Sequence, residues 1–256
     1  MDPSVAISAH HDIPVTPMVT GLARNCRRGS TPPVNRFFSR RTPSKSPYAV
    51  EMSIPAGGQA VAIAVPIRSF AGGKERLSPT LSTEERGTLA RRMSDNLLNA
   101  LASFHVVVVT NDAEVERWAR SCNVDVLRPE TPGLDNAAEA ARMWARDLNK
   151  TQLVVVHSDV PQPRSLPTIC GLPGITIVPD HQRDGTNVLA LPIDIEFRFS
   201  YGKNSFRRHL KEANSIALER KIPLRLIHHH ELGLDVDTPL DLTHPLADTA
   251  TKELTR

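Results

Sequence analysis

Three short runs decide most of what this chain can fold into: residues 61–67 (VAIAVPI), 105–110 (HVVVVT) and 153–156 (LVVV). None alternates apolar with polar residues, so each reads as a strand covered on both faces, the pattern of a parallel sheet packed between helices. The stretch between the first two runs opens with Ser82-Thr83-Glu84-Glu85, a hydroxyl cap followed by acids in the first turn. Leu89, Met93, Leu97, Leu98 and Leu101 then recur at helical spacing. Further helices are expected over 113–121, 137–148 and 206–220, and further strands over 124–127, 174–178, 188–193 and 224–227. Such alternation specifies an α/β domain with a mostly parallel, mixed sheet flanked by helices. Ligands bind such sheets beyond the carboxyl ends of the strands. That rule would gather the 68–76 loop, Asn111-Asp112 and Asp159 at one edge.

The domain is expected over 59–245. Residues 1–58 mix Pro, Ser, Thr, Gly and Arg without periodicity and read as a disordered basic arm or a misassigned start, with Met52 as the alternative first residue; a transit peptide is a further reading. Residues 246–256 read as a polar tail. Residues 1–50 carry seven Lys and Arg against two Asp and Glu, which accounts for the net charge of +3. The remainder is slightly acidic, so nucleic-acid binding is not expected. Three isolated cysteines argue against a disulfide framework and fit a cytoplasmic protein. No apolar run reaches the ~18–20 residues that span a bilayer.

The polar stretches carry the chemistry. Arg68, Lys74 and Arg76 surround Gly72 and Gly73, and cations beside approachable backbone N–H groups suit a polyphosphate; a solvated basic loop is the plain alternative. The P-loop and dinucleotide patterns are both absent. Asp159 follows a buried strand, and Asp235 and Asp237 form a DxD pair; such carboxylates are hard ligands suited to Mg²⁺. Thr238 and Pro239 also read as a helix start, with Thr238 as the cap. Pro179-Asp180 through Gly185-Thr186-Asn187 joins two strands and reads first as a tight Asp-Gly turn. The run His228-His229-His230 offers at most two rings to one face and reads as a polar strand end rather than a zinc site. Ser205 and His209, four apart on a helix, lack the strained elbow of a serine hydrolase.

In order along the chain stand Lys74-Glu75-Arg76-Leu77-Ser78, Ser158-Asp159-Val160-Pro161, Pro179-Asp180 with Gly185-Thr186-Asn187-Val188-Leu189, Tyr201-Gly202-Lys203-Asn204-Ser205-Phe206 with His209, and Asp235-Val236-Asp237-Thr238-Pro239. From about Val61 to Leu242 these blocks resemble the 2-phospho-L-lactate (or phosphoenolpyruvate) guanylyltransferase family of coenzyme F-420 biosynthesis. The resemblance implies a nucleotidyltransferase fold of GT-A-like, Rossmann-like type. It implies GTP and a small phosphorylated carboxylic acid as partners: phosphoenolpyruvate foremost, or 2-phospho-L-lactate or 3-phospho-D-glycerate. A downstream transferase of the same pathway is a further implied partner. By motif match Thr186, Gly202 and Ser205, with Asn187, would hold the acid. Arg68, Lys74, Arg76 and Asn136 would lie on the nucleotide, and Asp159, Asp235 and Asp237 would hold Mg²⁺. Lys74, Arg76 and Asp159 are the expected catalytic groups.

The chain departs from the family pattern at several points. Glu75 replaces a small hydroxyl residue, Arg68 replaces Lys, Ser158 replaces Ala, and Tyr201 replaces Phe. Glu75 must either point away from the phosphates or weaken their site. Two other readings remain open at this level: a nucleotidyltransferase acting on a sugar phosphate or cofactor precursor, and a degenerate nucleotide-binding regulatory protein.

Overall fold

The computed structural model describes residues 60–251. The basic arm, the reading of Met52 as the start, and residues 252–256 of the tail lie outside the described residues.

Seven strands form one sheet: β1 (Val61–Pro66), β2 (His105–Val109), β3 (Asp125–Leu127), β4 (Gln152–Val156), β5 (Ile175–Pro179), β6 (Thr186–Pro192) and β7 (Leu224–Leu226). Their order is β3-β2-β1-β4-β6-β5-β7. The first four run parallel, β6 is antiparallel to both β4 and β5, and β7 is parallel to β5. The mixed α/β sheet expected from the sequence is therefore present. Reversal at β6 has a functional consequence, because it brings the start of β6 to the edge where β1, β2 and β4 end.

The helices are α1 (Thr83–Ala100), α2 (Ala113–Ser121), α3 (Leu134–Asp147), α4 (Ser205–Arg220) and the short α5 (Asp248–Thr251). At the start of α1, Ser82 accepts from the Glu85 N–H while Glu85 accepts from the Ser82 N–H, a reciprocal capping box. Asp112 caps α2 by accepting from Glu114 N and Val115 N. The five central strands bury both faces, while the edge strands β3 and β7 are only partly covered. Val61, Ile63 and Val65 join Leu97, Leu101, Val115 and Trp118 of α1 and α2 on one side. Ala62 and Ala64 face Ala137, Ala138, Ala141 and Ala145 of α3 on the other. Small residues on both surfaces let α3 lie close to the sheet, as dense packing requires.

Three local readings are corrected. The helix expected over 137–148 starts earlier: the preceding loop ends at Gly133, whose φ of 129° suits only glycine, and Leu134 already begins α3, with Asp135 as the acid of its first turn. Thr238 does not cap a helix. Instead the Asp241 carboxylate accepts from Asp237 N, Thr238 N and the Thr238 hydroxyl, and the helical turn is only Asp241–Thr243. The tail expected from residue 246 is packed as far as Thr251. Ala247 and Ala250 are buried with Leu77, Leu81, Leu89, Met93 and Val236. Two spaced alanines gave no periodic signal, yet this cluster ties the loop after β1 to the segment holding Asp235 and Asp237.

Gly174 stands where the backbone of β5 meets the approach to β7. Its φ is +80°, and a Cβ there would lie 2.1 Å from the Pro223 carbonyl oxygen that accepts from Ile175 N. Gly171 has a similar φ, +84°, but open space around it. Gly174→Ala should therefore cost about 2–5 kcal/mol in urea unfolding, and Gly171→Ala only about 1 kcal/mol. Equal losses would show that backbone conformation alone, and not the approach of Pro223, sets the requirement.

Candidate active site

Carboxyl ends of β1, β2 and β4 open onto a cleft of about 640 Å³. The loop after β1 contributes Arg68, Gly73 and Lys74, β2 leads into Thr110 and Asn111, and the loop before α3 supplies Pro129, Pro132 and Gly133. His157, Ser158 and Asp159 after β4, with Asp237, form the remaining wall. The edge predicted from strand order is thus the edge that carries the cleft.

Lys74 occupies the centre of the charge arrangement. Its backbone is left-handed, φ 59° and ψ 37°, an unusual conformation for a lysine, and it turns the chain so that the side chain runs inward. Nζ lies 3.0 Å from Asp159 Oδ2 and 2.8 Å from Asp237 Oδ1, with only 9% of the Lys74 side chain exposed. Burial opposes the ammonium charge, but Asp159 and Asp237 outweigh it and hold the Lys74 pKa above its ordinary value. Burial likewise opposes the Asp159 carboxylate. Lys74, then His157, outweighs it and holds the Asp159 pKa down. The backbone contact from Val236 N to Asp159 O, 3.2 Å, brings the DxD segment against the end of β4.

Asp235 is in the opposite condition. Burial, then the charges of Asp159, Asp237 and Asp180, push its pKa up to about 7. Oδ1 of Asp235 and Oδ1 of Asp159 are both buried without a hydrogen-bond partner, His181 Nδ1 standing 3.7 Å from the former, beyond hydrogen-bond reach. Orphaned carboxylate oxygens of this kind call for a cation or a donor from outside the chain. Among the described residues no three acids, histidines or cysteines already stand as a metal cage. Lys74 lies between Asp159 and Asp237 instead. The donor set still fits a cation that takes a few carboxylates and completes its shell on substrate phosphates.

The other sequence-predicted residues divide. Arg68 lines the cleft from an exposed position. Arg76 and Glu75 are exposed in the short turn Glu75–Leu77, outside the cleft lining, so Glu75 does not stand between the two cations. Asn136 lies between lining residues but donates to the Pro132 carbonyl, 3.1 Å, holding its own loop. The amide of buried Asn187 donates to Leu232 O at 3.0 Å and so positions the approach to Asp235.

Thr186, Gly202 and Ser205 come together through the turn that precedes β6. Asp180 accepts from Asp184 N at 2.9 Å and Gly185 N at 2.6 Å. A Cβ on Gly185 would lie 2.8 Å from that carboxylate, so glycine is required by close approach rather than by φ. Asp184 in turn accepts from Asn204 N through Oδ1 and from Phe206 N through its carbonyl, fastening the start of α4 beside β6. Ser205 and Thr186 are both buried there, and Gly202, at φ +94°, keeps the loop open above them. The pairing of Ser205 with His209 does not form; the His209 ring instead meets Thr186 and Ser200.

Sequence reasoning missed His157, the full part played by Tyr201, and the backbone fastenings of the loop before α4. Tyr201 N donates to Asp135 at 2.6 Å, so α3 helps hold that loop. The rings of His157 and Tyr201 stand 5.4 Å apart, and His157 Nε2 and the Tyr201 hydroxyl are buried without partners. The only available sign of this pair was the change of Phe to Tyr at 201, since the two residues are 44 positions apart.

Comparison with known proteins bears on the family and the fold. Residues 61–254 match the family model described as "Guanylyl transferase CofC like". A phosphoenolpyruvate guanylyltransferase of Sphaerobacter thermophilus is 32% identical over 188 residues, covering 70% of this chain and 88% of the relative. A 2-phospho-L-lactate guanylyltransferase of Methanocaldococcus vulcanius is 27% identical over 185 residues, covering 70% and 81%. Among solved structures, a protein of Desulfovibrio desulfuricans G20 described as a nucleotide-diphospho-sugar transferase superposes with a TM-score of 0.57 at 12% identity, covering 77% of this chain and 96% of that one. Fold, cleft and family match converge: the chain is a transferase that belongs to the CofC-like guanylyl transferase family.

Proposed function

We propose that this enzyme transfers GMP from GTP to a small phosphorylated three-carbon acid, in the formation of coenzyme F-420. Phosphoenolpyruvate is the first candidate, ahead of 2-phospho-L-lactate and 3-phospho-D-glycerate; the relative at 32% identity is named for it. The observation that carries the reading is the Lys74 ammonium, held by Asp159 and Asp237 in the wall of the cleft at the carboxyl edge of the sheet.

Both substrates occupy the site together. A phosphate oxygen of the acid forms a bond to the α-phosphorus of GTP, the bond from that phosphorus to the bridging β-oxygen breaks, and diphosphate leaves. That oxygen is already anionic, so no general base is needed, and the protein aligns the reactants and neutralises charge. Lys74 uses two of its three N–H donors on Asp159 and Asp237 and keeps one for a triphosphate oxygen. Arg68 adds a second cation at the mouth. Thr186 and Ser205 hold the acid, with the Gly202 backbone within reach. Asp159 and Asp235, with Asp237, would hold Mg²⁺, supported by the two orphaned oxygens; bound there, the ion would supply charge neutralisation on the phosphates.

Incubation with GTP, Mg²⁺ and each of the three acids in turn should release diphosphate with at least one. Absence of release with all three sinks the proposal. Asp159→Asn should lower kcat/KM about 10²-fold or more, with folding retained because Lys74 keeps Asp237. Near-normal turnover would remove Asp159 from the site. Lys74→Met should cost about as much, whereas Arg76→Ala should cost less than about 3-fold, because Arg76 stands outside the cleft. A comparable loss at Arg76 would show that the 74–78 loop rearranges when GTP binds.

A further inference from the structure

His209 is fully buried, belongs to α4 and is not among the residues that line the cleft. Nothing in the proposed transfer uses it, yet its two ring nitrogens make contacts that fix a direction. Nε2 lies 2.9 Å from the backbone N of Ser200. An amide N–H can only donate, so Nε2 accepts and carries no proton. Nδ1 lies 3.1 Å from Thr186 Oγ1. A neutral imidazole with a bare Nε2 has its proton on Nδ1, so Nδ1–H donates to the Thr186 oxygen. Were the hydroxyl the donor, both ring nitrogens would have to be bare, which a neutral ring does not allow. The hydroxyl's own hydrogen therefore points away from His209.

Resting on the acceptor-site reading of Thr186 given above, we infer that His209 is a positioning residue that holds the Thr186 hydroxyl as a hydrogen-bond donor aimed at an anionic oxygen of the acid. A hydroxyl free to rotate could present a lone pair to that oxygen, which would repel it. Locked by His209, it presents the proton, and a donor to a charged oxygen is among the stronger hydrogen bonds. The ring is itself held. Tyr201 meets it edge-on at 4.7 Å between centroids, and Phe197 stands at 5.7 Å. Burial, then the charges of Arg208 and His157, lower its pKa to about 4, in keeping with a neutral ring. The contact to Ser200 N also anchors the loop that carries Gly202 and Ser205, while Arg208 donates to the carbonyls of Ser200, Tyr201 and Lys203. Two adjacent residues of one helix thus set both the loop and the hydroxyl.

The first test needs no turnover. The imidazole ¹⁵N–¹H spectrum of the wild-type protein should show His209 protonated at Nδ1 and bare at Nε2; the reverse tautomer overturns the inference. The second is a double-mutant cycle read as separate KM values for GTP and for phosphoenolpyruvate. Thr186→Val and His209→Phe should each raise the KM of the acid about tenfold, which is about 1.4 kcal/mol, and leave that of GTP unchanged. In the Thr186→Val background the effect of His209→Phe should shrink to what the Ser200 anchor alone contributes. His209→Asn, whose amide N–H can stand in for Nδ1–H, should recover most of the affinity; His209→Gln, which restores only the Nε2 side, should not. Should His209→Phe fail to fold, the Asn and Gln variants carry the comparison. A His209 effect that persists undiminished in the Thr186→Val background, or that raises both KM values equally, assigns His209 a structural role alone. A Thr186→Val variant with unchanged acid KM removes Thr186 from the acceptor site, and the His209 inference falls with it.

Discussion

An ammonium buried between two carboxylates holds this site together. Lys74 is 85 residues from Asp159 and 163 from Asp237, so one side chain joins the loop after β1, the end of β4 and the last loop of the domain. Such an arrangement contributes little net stability, because desolvating the charges offsets much of their attraction. It makes sense as preorganisation. With Lys74 removed, Asp159, Asp235 and Asp237 would repel one another more strongly. With it in place, a cation already stands in the wall of the cleft, where the proposed transfer would put the phosphates. The apolar cluster of Leu77, Met93, Val236 and Ala250 lies behind this ion pair and ties the same loops from the other side.

The antiparallel strand β6 provides the second half. A purely parallel sheet would carry the start of β6 to the opposite edge, far from β4. Here Val156 pairs with Val188 and His157 N donates to Asn187 O, so Thr186 lies beside the residues that lead to Asp159. The loop after β4 and the turn before β6 then stand side by side. The loop before α4 donates through Tyr201 N to Asp135 of α3, through Asn204 N to Asp184 and through Ser200 N to His209 of α4, and its Ser200 carbonyl accepts from Arg208.

Much of this was legible from local pattern. The apolar runs located the strands, and the rule of strand carboxyl ends placed Arg68, Asn111 and Asp159 on one cleft before any geometry was known. Motif resemblance paired Thr186 with Gly202 and Ser205, which the fold brings together. What sequence could not supply was direction. Lys74 and Arg76 are two residues apart and chemically alike, yet a left-handed backbone at Lys74 turns one inward and leaves the other exposed. Asn187 is expected at the acid by motif match, yet it is buried and its side-chain amide donates to Leu232 O. Ala247 and Ala250 sit in a stretch of mixed polarity, and only the cluster they complete distinguishes them from a solvated tail. Each of these depends on contacts with residues distant in the chain, which neither spacing nor composition encodes.

The account rests on direct transfer between two substrates bound at once, without a covalent enzyme intermediate. Initial rates measured with GTP and phosphoenolpyruvate varied together test this most directly. Intersecting double-reciprocal lines are the result it predicts. Parallel lines, the mark of a nucleotidylated enzyme formed before the acid binds, would contradict it.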